Sequence, residues 1–204
     1  MNSNENHSQA AENNKGPILE VLKKYIHGEK RLLEIGTGTA QHAIYFTKHF
    51  GKLQWVTSDL ARNHLPIATL LKKEKIQNLH GPEKLEIGVD DFPKGSFDFV
   101  FTANTLHIMS WKENKTLFKL LGKRLREGSL VFFYGPFKYN GEFTSTSNSE
   151  FDAQLKEQNI SSGIRNFEDV KKNMIDYGFK LINDHEMPAN NRLIVFAREA
   201  FRKR

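Results

Sequence analysis

An apolar strand that ends in an acid, breaks at a glycine-spaced turn and runs into a helix constrains this chain more than any other stretch: Leu32-Leu33-Glu34-Ile35-Gly36-Thr37-Gly38-Thr39-Ala40-Gln41. Gly36 and Gly38 lack Cβ, so the turn can take positive φ values and a ligand can lie directly on the backbone. The ligand would then face the unsatisfied N–H groups of a helix opening near Ala40, which suit a carboxylate or a phosphate. Glu34 decides between the two. An acid at the strand end repels a dinucleotide pyrophosphate but attracts an ammonium group. The dinucleotide fingerprint G-x-G-x-x-G also needs Gly at position 41, where Gln41 stands.

An adenosine-type ligand with an ammonium beside a carboxylate meets these constraints, and S-adenosylmethionine is such a molecule. Asp59 adds a second acid. It follows the next strand at a spacing that resembles the ribose-binding acid of Rossmann-like folds, where a carboxylate accepts two sugar hydroxyls. Its plainer role is a turn or helix cap. Asp90 and Asp91, after the third expected strand, either contact the adenine amino group or make a turn. Asn104 closes the fourth strand, where a cofactor would meet its substrate.

The chain has 204 residues, the size of one doubly wound domain. Residues 1–12 read as a mobile polar arm, 13–198 as a single domain and 199–204 as a basic tail. No apolar run is long enough to span a bilayer and the start is polar, so the expected setting is cytoplasmic, without membrane contact. The absence of Cys excludes disulfides, a thiolate nucleophile, Cys-ligated metal centres and Cys-mediated methylation of pyrimidine C5. The formal charge of +6 admits an acidic partner such as RNA. Its lysines and arginines, however, fall mostly where helices show a solvated face, and no nucleic-acid-binding module anchors them.

Helices are expected over 17–27, from the glycine turn to about 50, over 62–76, from Ser110 to Gly128, over 149–158 and over 167–177. Strands are expected at 31–35, 53–58, 84–89, 97–104, 129–134, 179–184 and 191–197. Ser110 and Glu113 match a capping box ahead of the stripe Leu117, Leu120, Leu121 and Leu125. Residues 135–149 are rich in Gly, Ser, Thr and Asn and read as a functional loop or lid. Strands alternating with helices imply an α/β, Rossmann-like, doubly wound sheet with helices on both faces, mostly parallel. The short Pro188 connection makes the last strand antiparallel.

On the acceptor side, His107 reads as a general base or as a packed, orienting histidine. Tyr134 beside Gly135-Pro136 either touches a substrate or completes loop packing, and Asn190 in the Met187–Asn191 stretch either hydrogen-bonds a substrate or serves a hairpin turn. The His residues show no metal-ligand spacing, and no rule of spacing turns Asp90, Asp91 and Asn104 into a metal site, so no metal is expected.

With these residues assembled, the chain resembles the class I S-adenosylmethionine-dependent methyltransferases, and within them a small methyltransferase-like family catalogued as a domain of unknown function, with bacterial and animal members. The resemblance runs from about Ala10 to Arg198. It rests on Ala10-Ala11-Glu12-Asn13-Asn14-Lys15 followed by Pro17-Ile18-Leu19, Leu33-Glu34 with the glycine turn and Gln41-His42, Ser58-Asp59, Asn104 with His107, Tyr134-Gly135-Pro136-Phe137, Ser147-Asn148 with Phe151-Asp152, Gly163 with Arg165, and Met187-Pro188-Ala189-Asn190-Asn191. It implies a seven-stranded sheet ordered 3-2-1-4-5-7-6 with strand seven antiparallel, S-adenosylmethionine as cofactor, and contacts from Glu34, Gly36, Gly38 and Asp59. Gly88 stands where the pattern usually shows Asp, leaving Asp90 or Asp91 as the displaced adenine contact.

The expected function is methyl transfer to an unidentified acceptor, with a small molecule favoured over a nucleic acid. Asn104 joins the cofactor contacts, His107 is the catalytic candidate, and Asn13, Lys15, Tyr134 and Asn190 are the substrate contacts, expected to converge at the C-terminal sheet edge. The alternatives are a non-catalytic cofactor-binding or scaffold protein on the same fold, and a basic RNA-binding protein.

Overall fold

β1 (Arg31–Ile35) is buried from Leu32 onward and pairs in parallel with β2 (Gln54–Asp59), Ile35 lying opposite Ser58. This register sets Glu34 and Asp59 at the same end of two neighbouring strands. We describe residues 7–200 of the chain in a computed structural model. They fall into two compact units that divide between Val100 and Phe101.

The first unit also holds α1 (Gln9–Leu22), α2 (Gln41–Thr47), a 3-10 turn at Ala61–Asn63, α3 (His64–Glu74) and β3 (Leu79–Lys84), which pairs in parallel with β2. Its core includes Leu32, Leu33, Phe46, Trp55 and Ile67, with the Phe46 and Trp55 rings 5.5 Å apart. After β4 (Phe99–Ala103) come α4 (Trp111–Arg124), β5 (Leu130–Gly135), β6 (Phe137–Tyr139), β7 (Glu142–Phe143), α5 (Thr146–Gln158), β8 (Arg165–Asn166), α6 (Phe167–Asp176), β9 (Phe179–Met187) and β10 (Asn191–Arg198). In the second unit the Phe133 ring lies 5.7 Å from Phe118 and 6.0 Å from Phe196, joining α4, β5 and β10.

The main sheet has seven strands in the order β3-β2-β1-β4-β5-β10-β9. β10 runs antiparallel to β5 and β9. With β9 and β10 as the sixth and seventh strands, this is the expected order. The capping box also forms: Ser110 Oγ accepts the Glu113 N–H at 3.2 Å, and Glu113 accepts the Ser110 N–H at 2.7 Å.

Three local expectations are corrected. The first helix begins at Gln9 and not at Pro17, so part of the expected arm is helical; Ser8 Oγ caps it by accepting the Ala11 N–H at 3.2 Å, and Pro17 lies in the helix interior. Packing on α2 supports these roughly two extra turns against the hydrogen bond that a proline removes. Residues 1–6 of that arm and 201–204 of the basic tail lie outside the described residues.

The third strand occupies 79–84, not 84–89. Leu85 and Ile87 are buried in a turn region instead, and Val89 is exposed. β3 is at the sheet edge, where Pro82 costs no ladder bond on its open side. Gly81, at φ +106, crosses so close to β2 that a Cβ would stand 2.6 Å from the Thr57 carbonyl oxygen.

The expected loop at 135–149 folds into the hairpin β6–β7 and the first turn of α5, and β8 completes a three-stranded sheet in the order β7-β6-β8. Strands of two or three residues carry too few alternations to be read from sequence.

Candidate functional site

The glycine turn follows β1, and its backbone is tied to β2: the N–H groups of Gly36 and Thr37 both donate to the Ser58 carbonyl, at 3.0 and 3.1 Å. Gly36 and Gly38 have φ values of +74 and +58, and Ala40 also takes a left-handed conformation. A Cβ added at Gly38 would meet nothing within 4 Å, so the surface over the turn is open to a ligand.

Two acids flank this turn. Glu34 is 2% exposed, and its Oε2 accepts from Trp55 Nε1 at 3.1 Å and Thr37 Oγ1 at 3.2 Å. Its Oε1 takes no hydrogen bond among the described residues. Burial raises the Glu34 carboxyl to about 8, against the two hydrogen bonds that favour its charged form. Asp59 Oδ2 accepts the Gly38 N–H at 2.7 Å, and its Oδ1 accepts the Leu60 N–H and the Asn63 side-chain amide, each at 2.7 Å.

Asp90 lies in the turn after β3. It accepts Lys84 Nζ at 2.7 Å and the Glu86 N–H at 2.8 Å, and the Lys84 bond holds its carboxyl below the usual range. Asp91 is exposed.

The start of α1 is fastened to α2 just beyond the turn. Gln41 Oε1 accepts the Ser8 N–H at 2.5 Å and Thr39 Oγ1 at 2.9 Å, while Nε2 reaches the Ser8 carbonyl and Glu12 at 3.3 Å. His42 Nε2 meets Asn14 Oδ1 at 2.6 Å in a buried pair, and burial lowers the imidazole to about 4. Lys15 pairs with Glu12, and its Nζ lies 4.9 Å from the Tyr45 ring centroid. Asn13 is exposed and accepts Gln9 Nε2 at 2.8 Å. Asn14, Gln41 and His42 therefore carry structural roles that the site reading did not assign, although all three stand in the stretches that bear the family resemblance.

In the second unit the turn after β4 brings Asn104, His107 and Tyr134 together. Asn104 takes φ +58, and its N–H donates to the Tyr134 carbonyl at 2.8 Å. A Cβ at Gly135 would lie 3.5 Å from Asn104 Oδ1 and 3.6 Å from His107 Nδ1. His107 is 4% exposed, and its ring nitrogens make no hydrogen bond among the described residues. Burial, with the Arg165 charge second, lowers the imidazole to about 4, so it is neutral at pH 7. The Phe151 ring of α5 meets it edge-on at 5.3 Å.

Asn190, in the β9–β10 turn with φ +56, accepts Asn148 Nδ2 of the same helix at 3.1 Å. Arg165 and Asn114, which hold the turn that carries His107, were given no role from sequence. For Asn114 a signal existed, since a polar residue stands in the apolar stripe of α4 with Leu117 and Leu121.

Among the described residues no group of three or more His, Asp or Glu side chains is placed to hold a metal ion. No helix among them is long and apolar enough to cross a membrane.

Residues 5–198 match the family model described as Protein of unknown function (DUF938). Among solved structures, the chain superposes on an O-methyltransferase family 2 protein from Planctomyces limnophilus, in complex with apigenin, with a TM-score of 0.79 and 16% identity over 93% of this chain and 58% of that one. Mitomycin 7-O-methyltransferase MmcR gives 0.79 at 12% identity, over 93% of this chain and 54% of that one. Human N-acetylserotonin methyltransferase, in complex with S-adenosylmethionine, gives 0.74 at 10% identity, over 94% and 59%. The chain thus spans less than two thirds of the length of these neighbours, and the likeness is one of fold. The chain belongs to the family described as Protein of unknown function (DUF938), on the fold of the class I S-adenosylmethionine-dependent methyltransferases.

Proposed function

We propose that this protein transfers a methyl group from S-adenosylmethionine to an acceptor, with a small molecule as the acceptor class. The observation that carries the reading is the pair of acids around the open glycine turn: Glu34, buried with one oxygen free of hydrogen bonds among the described residues, and Asp59, bonded to the Gly38 N–H. In this reading the ligand ammonium meets Glu34 and displaces the proton that burial holds on its carboxyl, Gly36 and Gly38 admit the ligand against the backbone, Asp59 receives the ribose hydroxyls, and Asp90 and Asn104 complete the cofactor contacts. When bound, the cofactor supplies a methyl group on a sulfonium, an electrophile strong enough that the protein need only align and desolvate its partner.

His107 holds the proton of that partner. Its neutral imidazole accepts a hydrogen bond from an acceptor hydroxyl and takes the proton as the oxygen gains its methyl group. The O-methyltransferase names of the structural neighbours support an oxygen acceptor. Asn13, Lys15, Tyr134 and Asn190 are assigned to the acceptor side.

The test incubates the protein and methyl-labelled S-adenosylmethionine with metabolite, RNA and protein fractions. Label should appear in a metabolite, and His107→Gln should lower its transfer by about a hundredfold or more while still binding the cofactor. Transfer to RNA alone would replace the acceptor class, and no transfer to any fraction would leave a binding protein on this fold.

A further inference from the structure

The turn that carries His107 has no regular structure of its own, yet its carbonyls are captured one after another. Leu106 O accepts Asn114 Nδ2 at 2.9 Å and Arg165 Nε at 3.0 Å. His107 O accepts the Gly163 N–H at 2.8 Å, and Ile108 O accepts Ser162 Oγ at 2.7 Å. Met109 O accepts Asn114 Nδ2 at 3.2 Å and also Arg165 Nη2, which reaches Ser161 O at 2.9 Å as well.

Arg165 is half-buried, and all of its hydrogen-bond partners are carbonyls. The acids whose charges act on it are already engaged: Asp152 takes the Ile164 N–H and Lys156 Nζ, each at 2.6 Å, and Glu113 closes the capping box of α4. A guanidinium placed this way spans the two carbonyls that bracket His107 in the chain, which the single ammonium of a lysine cannot match.

We propose that Arg165 is a positioning residue for His107, fixing the imidazole by clamping Leu106 and Met109 to the Ser161–Arg165 segment. The proposal rests on His107 as the proton acceptor of methyl transfer. Arg165 has a second effect on the same ring: among the described charged groups of this unit, it is the one whose field acts on His107, where it favours the neutral form.

The experiment follows the His107 ring by NMR in histidine-labelled protein, its signal assigned with His107→Gln, in Arg165→Gln, Arg165→Lys and Lys172→Gln. In Arg165→Gln the ring signal should move and broaden, and its titration midpoint should rise by about one pH unit. Arg165→Lys should keep the low midpoint while the signal still moves and broadens, because the charge is retained and the fork is lost. Lys172 is an exposed cation on α6, and Lys172→Gln should leave the signal unchanged.

Signals in both Arg165 variants that superimpose on the parent in position, width and midpoint would overturn the proposal, as would an equal change in Lys172→Gln. If Arg165→Gln does not fold, position and width in Arg165→Lys decide. Calorimetry of S-adenosylmethionine on the parent protein runs alongside. Absence of binding there counts against methyl transfer and leaves the clamp judged by NMR alone.

Discussion

Asp59 holds Gly38: the carboxylate at the end of β2 accepts the N–H of the second glycine of the turn at 2.7 Å. The acid assigned to the ribose hydroxyls is therefore also a strut of the turn on which the cofactor would rest, and one substitution tests both roles.

Asp59→Ala removes a charged acceptor from the Gly38 and Leu60 N–H groups and from Asn63. Losing such bonds should cost on the order of 1.5–3 kcal/mol, about tenfold to a hundredfold in affinity for S-adenosylmethionine. Calorimetry with the folded variant checks this. Undiminished affinity would reduce Asp59 to a turn residue.

Glu34 sets a pH dependence with a definite sign. Its folded-state value is raised to about 8 from 4.5, so between these the folded state holds a proton that the unfolded state has lost. The stability it contributes is complete below about pH 4.5 and lost as pH rises through about 8, at a slope of up to about 1.4 kcal/mol per pH unit. His42 and His107, lowered to about 4 from 6.5, act the other way: their contribution is present above pH 6.5 and lost as pH falls through about 4. Glu34→Gln should therefore gain stability relative to the parent as pH rises from 5 to 8. Denaturant unfolding at both values reads the difference, and a constant gap contradicts it.

Much of the fold was legible because its signals are long. The run Leu32–Ile35 into Gly36 and Gly38, the Ser110 capping box and the Pro188 connection each act through local chemistry, and they place β1, α4 and the antiparallel β10 correctly. What escaped was set by tertiary contacts. The early start of α1 depends on Gln41 and His42, almost thirty residues or more away in sequence. β3 is the strand despite Gly81 and Pro82 because Gly81 fits against Thr57, while Leu85 and Ile87 are buried in the turn that follows and Val89 is exposed. In the site, Glu34 and Asp59 were visible as strand-end acids. Nothing local in the sequence announces that Arg165 would reach the carbonyls of Leu106 and Met109, 59 and 56 residues away.

The buried Asn14–His42 pair should govern how firmly the start of α1 is held. Asn14→Ala leaves a buried imidazole nitrogen without that partner, at a cost of about 1–3 kcal/mol. Hydrogen exchange over residues 9–15 should accelerate in the variant while β1 and β2 keep their protection. Unchanged exchange in α1 would mean that the Gln41 contacts suffice.

Calorimetric titration of S-adenosylmethionine into the parent protein and into Gly36→Val tests the cofactor assignment most directly. Gly36 has φ +74, and a branched side chain there both strains the turn and occupies the ligand's approach to the backbone. Saturable binding by the parent and its loss in a Gly36→Val protein whose circular dichroism remains that of the parent is the expected result. No binding by the parent, or equal affinity in the folded variant, would contradict the assignment of the glycine turn as the cofactor site.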